Sequence, residues 1–313
     1  MPKVSVTMTI YNGERHLRET VASILGQTFP DFELVVINDG STDRTAEILD
    51  SYGDPRMVVV HQENMGIPKS RNRAVSISRG EYIAIHDADD ISLPWRLEKE
   101  VSFLDEHPDY GLVGSSYYHI DERSRRKALV RVLTDDADLR VFLRRRNWFG
   151  HGSVMMRKSA FIEVGGYDER FRYSLDYDLY LRMLEKFKVA NLKEPLYCYR
   201  LSAKSVSQSK RAEQRYYTEL AKIEAKKRLG PRIAADYQQN DLAERLRGWL
   251  NSEGLTEMQR ITEIYGQSKP WAYAAFFFRL VEAKIGSFLV THGFKGIVRM
   301  YRKLFYPHTT ESL

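Results

Sequence analysis

Three aspartates lie close together after one apolar run of the sequence. In the segment EYIAIHDADD, Asp87, Asp89 and Asp90 follow directly on the apolar residues. Carboxylates packed this closely repel one another and raise each other's pKa unless a cation neutralises them. Magnesium and manganese commonly take one or two carboxylates and complete their coordination with substrate phosphate oxygens. The cluster therefore indicates a divalent-metal site; a solvated turn is the alternative, because aspartate is common in turns.

The elements that position these carboxylates follow from hydrophobic periodicity. Helical spacing of Leu17, Val21 and Ile24 predicts a helix over Glu14–Thr28. Four apolar, β-branched runs predict strands at Val4–Tyr11, Phe32–Asp39, Met57–Gln62 and Glu81–Asp87. Strands that alternate with short helices predict an α/β fold with a doubly wound, mostly parallel sheet flanked by helices, because each return must cross a face of the sheet.

Ligands of such sheets bind beyond the carboxyl ends of the strands. Thr9, Tyr11 and Asp39 lie at two of these ends, and the aspartate cluster lies at a third. The first strand-to-helix turn reads YNGER, which lacks the glycine pattern of a dinucleotide-binding turn. The ligand edge is therefore polar, and a dinucleotide is not expected there.

Composition and charge limit the class of protein. A single cysteine, Cys198, cannot form an intramolecular disulfide, which favours a reducing compartment. The apolar stretch Trp271–Val290 is interrupted by charged residues, so no spanning helix is expected. The formal net charge is +6, and residues 211–313, with 17 basic and 11 acidic residues, hold all of the excess. We expect a cytoplasmic protein whose last third has an anionic partner, membrane or nucleic acid; a solvated helical face kept soluble by lysines is the alternative.

Four segments carry a resemblance to a known family. They are VSVTMTIYNGERHLRETVASILGQTF, VVINDGSTDRT, ENMGIPKSRNRAVSISRGEYIAIHDADD and HGSVMMRKSAFIEVGGYDERFRYSLDYDLYLRM. In their order and spacing they resemble family 2 glycosyltransferases, which are inverting enzymes with the GT-A fold. The resemblance covers about residues 3–210. It implies a GT-A catalytic domain over 1–210 that binds a nucleotide sugar, followed by a basic, α-helical C-terminal region over 211–313.

The resemblance also implies a nucleotide-sugar site. By it, Asp39 hydrogen-bonds the nucleotide base, and Thr9 and Tyr11 flank the same pocket. Asp87 and Asp89 match the DxD motif, in which Asp87 touches the ribose and Asp89 holds Mn²⁺ or Mg²⁺ on the diphosphate; Asp90 helps to orient them. The remaining residues implied to face the base or diphosphate are Arg71, near the start of the helix that follows Pro68, and Arg200, Lys204 and Ser207 in a closing loop.

The catalytic base is implied by the segment SLDYDL. Asp176 occupies the position of the family's general base, which takes the proton from an acceptor hydroxyl. Leu175 stands where the family frequently has an acidic residue, so an acceptor contact from that position is in doubt. Asp178 lies two positions further along and is expected to point elsewhere on a helix. His151 matches a histidine at the acceptor-side edge of the site, with a structural histidine as the alternative.

The C-terminal third contains a basic amphipathic pattern. Over 271–305, aromatic and aliphatic residues lie opposite lysines and arginines, which is typical of a helix at an anionic membrane surface. Docking on the core or on a second subunit is the alternative. Nucleic acid is not expected, because exposed stacking aromatics do not accompany the charges. We therefore expect peripheral contact with the cytoplasmic face of the membrane.

These features together predict one activity and leave two rivals. The chain is expected to be a metal-dependent, inverting glycosyltransferase of the hexosyltransferase type. It would move a sugar from a nucleoside-diphosphate sugar to a hydroxyl of a saccharide acceptor. The expected donor is a UDP-sugar, and the expected acceptor is a lipid-linked saccharide in glycan or surface polysaccharide synthesis. A nucleotidyltransferase that makes an activated sugar is one alternative, although YNGER is a poor version of its Gly-rich basic loop. A nucleotide-sugar-binding protein without turnover is the other.

Overall fold

A computed structural model describes residues 1–144, 146–202 and 210–229 of the chain. Four parallel strands open it, in close agreement with the four predicted strands: β1 (Val4–Ile10), β2 (Phe32–Asp39), β3 (Met57–Gln62) and β4 (Tyr82–Asp87). The predicted membrane-contacting segment 271–305 and the loop residues Lys204 and Ser207 lie outside the described residues.

Five further strands extend the sheet beyond β4. They are β5 (Ile91–Ser92), β6 (Tyr110–Ile120), β7 (Arg126–Val130), β8 (Met155–Arg157) and β9 (Lys188–Arg200). The strand order is β3-β2-β1-β4-β8-β6-β9-β5, with β7 paired to β6. The short strand β8 runs antiparallel to both β4 and β6, whereas the long pairing of β6 with β9 is parallel. The sheet is therefore mixed, with its long pairings mostly parallel.

Helices cover both faces of the sheet. They are α1 (Leu17–Leu25), α2 (Thr45–Asp50), α3 (Ile67–Ile77), α4 (Arg96–Glu106), α5 (Asp136–Phe142), α6 (Lys158–Glu163), α7 (Leu175–Lys186) and α8 (Arg211–Leu229). Along β4 the side chains alternate, so that Tyr82 and Ala84 pack with α1, α2 and α4, while Ile83 and Ile85 pack with α5, α6 and α7. This two-sided core confirms the predicted doubly wound α/β architecture.

Helix α1 is shorter at both ends than the predicted Glu14–Thr28. The backbone N–H groups of Gly13 and Glu14 donate to the side chains of Thr45 and Asp43, which keeps these residues outside the helix. At the other end the N–H of Thr28 donates to the carbonyl of Pro94. Tertiary hydrogen bonds therefore replace the helical ones that periodicity alone predicts.

Strand register brings the polar strand ends to one edge of the sheet. Thr9 on β1 lies opposite Asp87 on β4, and Asp39 on β2 lies opposite Gln62 on β3. The chain continues from β4 into Asp89 and then Asp90, so the aspartate cluster starts at this edge. The fold therefore gathers the predicted ligand residues as the strand order requires.

Helix α8 packs against the body that carries this edge. Ala221 and Ala225 of α8 are buried in the core cluster that contains α7, and the hydroxyl of Ser174 donates to the carbonyl of Gln214 at 3.1 Å. The helix predicted to begin at Arg211 is present, and the domain boundary at residue 210 stays a prediction. Within the described residues, no helix is long and apolar enough to cross a membrane.

Candidate active site

A partly buried ion pair joins α3 to the end of β4. The guanidinium of Arg71, in the second turn of α3, donates from Nη2 to Oδ1 of Asp87 at 2.8 Å. Burial alone would raise the pKa of Asp87, but the positive charge of Arg71 outweighs it and holds that pKa below its usual range. Burial would likewise lower the pKa of Arg71, but Asp87 keeps it raised. Both side chains are therefore charged.

His151 completes this cluster from the 3₁₀ turn His151–Ser153. Its Nε2 accepts a hydrogen bond from Nη1 of Arg71, and its Nδ1 lies 2.7 Å from the Tyr180 hydroxyl. Burial and the charge of Arg71 lower the pKa of His151 to about 3. A guanidinium can only donate, so Nε2 is the acceptor and Nδ1 carries the proton of a neutral ring. These contacts suit a structural histidine, and the acceptor-side role of His151 stays a prediction.

Asp176 lies at the start of α7, close to the same charges. Burial raises the pKa of its carboxyl and the negative charge of Asp87 adds to this, while the positive charge of Arg71 opposes both. The structure therefore brings Asp176, Arg71 and Asp87 within electrostatic reach of one another. A carboxyl with a raised pKa near charged groups is typical of a general base.

Asp178 points away from this site, as the helical spacing predicted. Its carboxylate accepts from Arg182 at 2.7 Å, one turn further along α7, and Arg228 of α8 lies 3.9 Å away. Its side chain is almost fully buried between these two cations. Asp176 is therefore the aspartate of SLDYDL that lies in the site.

A pocket of about 420 Å³ opens beside Asp176. Its walls come from the loop before the 3₁₀ turn, from the start of α7 and from α8, and it is lined by Arg146, Asn147, Ser174, Asp176, Tyr177, Gln214 and Thr218. Asn147 donates from Nδ2 to Oδ2 of Asp176 at 2.9 Å. One oxygen of the candidate base is therefore held by the protein at the edge of this pocket.

The turn after β4 holds a carboxylate suited to a cation. Burial, and then the charge of Asp87, raise the pKa of Asp89 to about 6. Within the part of the chain that the structure describes, the Asp89 carboxylate forms no ion pair, while a backbone hydrogen bond from its own residue and the charge of Arg200 oppose the rise of its pKa. Among those residues, no group of three or more histidine, cysteine, aspartate or glutamate side chains is arranged to hold a metal ion by itself.

The prediction that Arg200 faces the diphosphate is wrong. It ends β9, and its side chain is fully buried. Its guanidinium donates to the carbonyl of Asp89 at 2.6 Å, to the carbonyl of Asp121 at 2.9 Å and to Glu19 at 2.9 Å, while its backbone N–H donates to Asp90 at 2.7 Å. These bonds occupy the guanidinium, so Arg200 fixes the aspartate turn from behind and is not available to a diphosphate.

The residues predicted around the nucleotide base lie at the expected edge. The Asp39 carboxylate accepts from Gln62 and from the backbone N–H groups of Met65 and Gly66, at 2.7 to 3.0 Å. Asp39 therefore also fixes the loop between β3 and α3. Thr9 is half-buried and Tyr11 is 55% exposed.

Sequence reasoning missed three residues of the site. Tyr180 lies four residues after Asp176, a helical spacing that could have indicated it. Asn147 and Tyr197 gave no such signal, because they reach the site through contacts across 29 and 110 residues of sequence. The Tyr197 hydroxyl accepts from the N–H of Asp87, and a side chain on Gly152 would overlap that hydroxyl.

Solved structures share this fold. The chain is similar to the crystal structure of S. aureus TarS 1-349 in complex with UDP-GlcNAc, with a TM-score of 0.57 and 21% identity over 66% of this chain and 61% of that one. The complex of TarS 1-349 with UDP matches over 84% of this chain and 78% of that one, with a TM-score of 0.57 and 18% identity. The likeness confirms the predicted GT-A type of fold.

Sequence comparisons define the family. The sequence model described as Glycosyl transferase family 2 matches residues 5–171. The glycosyltransferase EpsE of Bacillus subtilis is 40% identical over 63% of this chain and 72% of its own length. The amylovoran biosynthesis glycosyltransferase AmsE of Erwinia amylovora is 31% identical over 61% of this chain and 74% of its own length. The chain therefore belongs to glycosyl transferase family 2 and is a glycosyltransferase.

Proposed function

We propose that this enzyme transfers a hexosyl group from a UDP-sugar to a hydroxyl of a saccharide acceptor, with inversion at the anomeric carbon. The observation that carries the proposal is the convergence of Asp176 with the Arg71–Asp87 pair, from segments about a hundred residues apart in sequence. Family membership favours glycosyl transfer over nucleotidyl transfer. The names of the TarS structures support a uridine nucleotide as the donor.

The proposed donor site follows the polar edge of the sheet. Asp39, Thr9 and Tyr11 would surround the base, and Asp87 would meet the ribose while Arg71 holds its charge. Lys204, in the segment after β9, would approach the diphosphate. Arg200 would act only indirectly, by holding the turn that carries Asp89.

Asp176 is the proposed general base. Its carboxylate would take the proton of the acceptor hydroxyl as that oxygen attacks the anomeric carbon from the side opposite the leaving group. The bond between the anomeric carbon and the phosphate oxygen breaks, and its electron pair leaves with UDP. Hydrogen bonding from Asn147 leaves Oδ1 of Asp176 for the acceptor. A positioned base of this kind contributes about 10²–10⁴-fold to a rate.

Asp89 is the proposed ligand of Mn²⁺ or Mg²⁺. A half-buried carboxylate with a raised pKa and no cation partner among the described residues fits a divalent ion, because the ion removes the repulsion from Asp87. When bound, such an ion would supply charge stabilisation for the departing diphosphate. Asp90, whose pKa is raised by burial and then by Asp89, would support the turn.

The acceptor belongs to polysaccharide synthesis in this proposal. The name of AmsE, a glycosyltransferase of amylovoran biosynthesis, supports that process. A lipid-linked saccharide as acceptor and contact of residues 271–305 with the anionic cytoplasmic face of the membrane are parts of the same proposal, supported by the basic residues of the last third. Residues 1–210 would form the catalytic domain, with α8 packed on it.

The proposal is tested by Asp176→Asn, with Asp31→Asn as the matched control on an exposed turn. We expect UDP release in the presence of acceptor to fall by about 10²–10⁴-fold in Asp176→Asn, because the amide cannot accept the proton. Thermal shifts with UDP-sugar and Mn²⁺ should be the same in both variants and the wild type. Full activity in Asp176→Asn would remove the base from the proposal, and pyrophosphate release from a nucleoside triphosphate and a sugar phosphate would favour the nucleotidyltransferase.

A further inference from the structure

We propose that the pocket beside Asp176 binds an acceptor sugar that carries an anionic group, phosphate or carboxylate, and that Arg146 binds this group. The inference rests on the proposed function, because Asp176 defines which side of the site is the acceptor side. It goes further by naming the chemical class of the acceptor and the residues that select it.

Arg146 is a cation whose guanidinium contacts an aromatic ring. Its guanidinium carbon lies 5.0 Å from the centre of the Trp148 ring, and Trp148 in turn packs edge-on against Phe142. This cation–π contact holds the guanidinium near the ring while its N–H groups remain available. Over residues 1–144, 146–202 and 210–229, no carboxylate forms an ion pair with Arg146.

Three other arginines of the described residues already have carboxylate partners. Arg71 pairs with Asp87, Arg182 pairs with Asp178 and Arg140 pairs with Asp136, each at 2.7 or 2.8 Å. Arg146 differs from these three in being exposed at the pocket wall. An exposed arginine that is held by an aromatic ring beside a cavity is suited to a bidentate contact with phosphate or carboxylate.

The negative charge of the proposed base, Asp176, makes a nearby cation necessary if the acceptor is an anion. A deprotonated Asp176 would repel an anionic acceptor that binds beside it. Arg146 lines the same pocket and offsets this repulsion. The donor side has a cation of its own in Arg71, so Arg146 is not needed there.

The other walls suit the hydroxyl groups of a sugar. Ser174, Gln214 and Thr218 present hydroxyl and amide groups, and the Ser174 hydroxyl is fixed by contacts with the Gln214 carbonyl and the Thr218 hydroxyl. A volume of about 420 Å³ lies in the range of small-ligand sites.

Binding measurements on the full chain saturated with UDP test the inference. The probes are methyl glucoside, glucose 1-phosphate and methyl glucuronide, titrated by NMR or calorimetry. We expect both anionic sugars to bind at least about tenfold more tightly than the neutral one, as a charge-assisted contact would give. A preference for glucose 1-phosphate over methyl glucuronide would identify a phosphate-bearing acceptor, and the reverse a uronic acid.

Variants separate the pocket from the rest of the site. Arg146→Gln should abolish the preference for anionic sugars, Arg146→Lys should keep part of it, and Arg18→Gln on the exposed surface of α1 should keep all of it. Gln214→Ala should weaken the binding of neutral and anionic sugars by the same factor. UDP affinity should be the same in all of these variants.

Three outcomes would overturn the inference. They are equal binding of neutral and anionic sugars to the wild type, an anionic preference that survives in Arg146→Gln, and loss of UDP affinity in Arg146→Gln. Failure of the proposed function would look different, because the wild type would then bind UDP-sugar but neither transfer the sugar to any acceptor nor release UDP.

Discussion

Asn147 fixes one oxygen of the Asp176 carboxylate, and its own orientation is determined. Its Oδ1 accepts from the N–H of Phe149 at 3.0 Å, so its amide N–H₂ must face Asp176. Phe149 is buried in the core and packs against Tyr180 at a ring distance of 5.0 Å. A core residue thus sets the geometry of the proposed base through one amide.

We predict that Asn147→Ala raises the pKa of the base. A hydrogen bond to the carboxylate favours its ionised form, so its loss adds to the burial that already raises this pKa, with Asp87 and Arg71 still acting in opposite senses. A charge-assisted bond is worth about 1.5–3 kcal/mol, which corresponds to about one to two pH units. The acid limb of the kcat/KM profile should move to higher pH by this amount, measured by UDP release.

A purely structural role for Asn147 would give another result. Asn147→Ala would then lower kcat/KM equally at every pH, with no movement of the acid limb. Asn147→Gln keeps the donor on a longer side chain and should return part of the profile. Asn64→Ala, at an amide that binds the Asp39 carbonyl, is the matched control and should leave the acid limb in place.

At the residue scale, the site residues that belong to sequence motifs could be predicted, whereas those that reach the site through contacts distant in sequence could not. Asp87, Asp89 and Asp176 are recognisable because local segments define them. The function of Arg200 could not be predicted, because its partners Glu19, Asp89 and Asp121 are up to 181 residues away in sequence. An arginine at a strand end looks the same in sequence whether it faces a ligand or the interior.

Helix α4 is tied to the sheet by a buried ion pair. Arg96 and Glu100 are both fully buried and lie 3.2 Å apart, and Arg96 also donates to the carbonyls of Ile85 and Val154. Burial raises the pKa of Glu100 to about 7, against the pull of Arg96. Val154 directly follows the 3₁₀ turn that holds His151. The Arg96–Glu100 pair therefore helps to fix the position of this turn through the Val154 carbonyl.

We predict that Glu100→Ala lowers the free energy of unfolding by about 3–5 kcal/mol, because it leaves the Arg96 charge buried without its partner. The double variant Arg96→Met with Glu100→Leu should lose less than the single one. Urea unfolding followed by circular dichroism measures both. Glu106→Ala, exposed on the same helix, should change stability by less than about 0.5 kcal/mol. A double variant less stable than Glu100→Ala would contradict this account.

At the element scale, prediction succeeded where patterns are local. The first four strands are continuous apolar runs, so their limits differ from the predicted ones by one residue at most. Strand β9 contains Pro195 and several charged residues, and it is a strand because it pairs with β6 over almost its whole length. Such non-local pairing leaves little periodicity to read.

The net positive charge of the whole chain, +6, comes from residues 211–313. The proposed membrane contact of residues 271–305 makes a prediction at this scale. The full chain should co-sediment with vesicles that contain anionic lipid, and added salt should release it, because each basic residue contributes about 1 kcal/mol near such a surface. Neutral vesicles should bind far less.

A charge-reduced variant tests the same segment. Replacement of Lys295, Arg299, Arg302 and Lys303 by glutamine should abolish co-sedimentation while UDP-sugar binding is kept. Equal binding of this variant and the wild type to anionic vesicles would favour docking on the core or on a second subunit instead.

Arg200 limits which segments of this enzyme can be exchanged with those of a relative to make a chimera. One guanidinium joins the end of β9, the aspartate turn, the turn between β6 and β7 and, through Glu19, helix α1. A chimera that imports any one of these segments from a relative combines it with three native segments that are matched to the original contacts of this buried cation. Exchange should therefore succeed when all four segments travel together, whereas α8, which lies outside this junction, can be replaced by itself to vary the acceptor pocket.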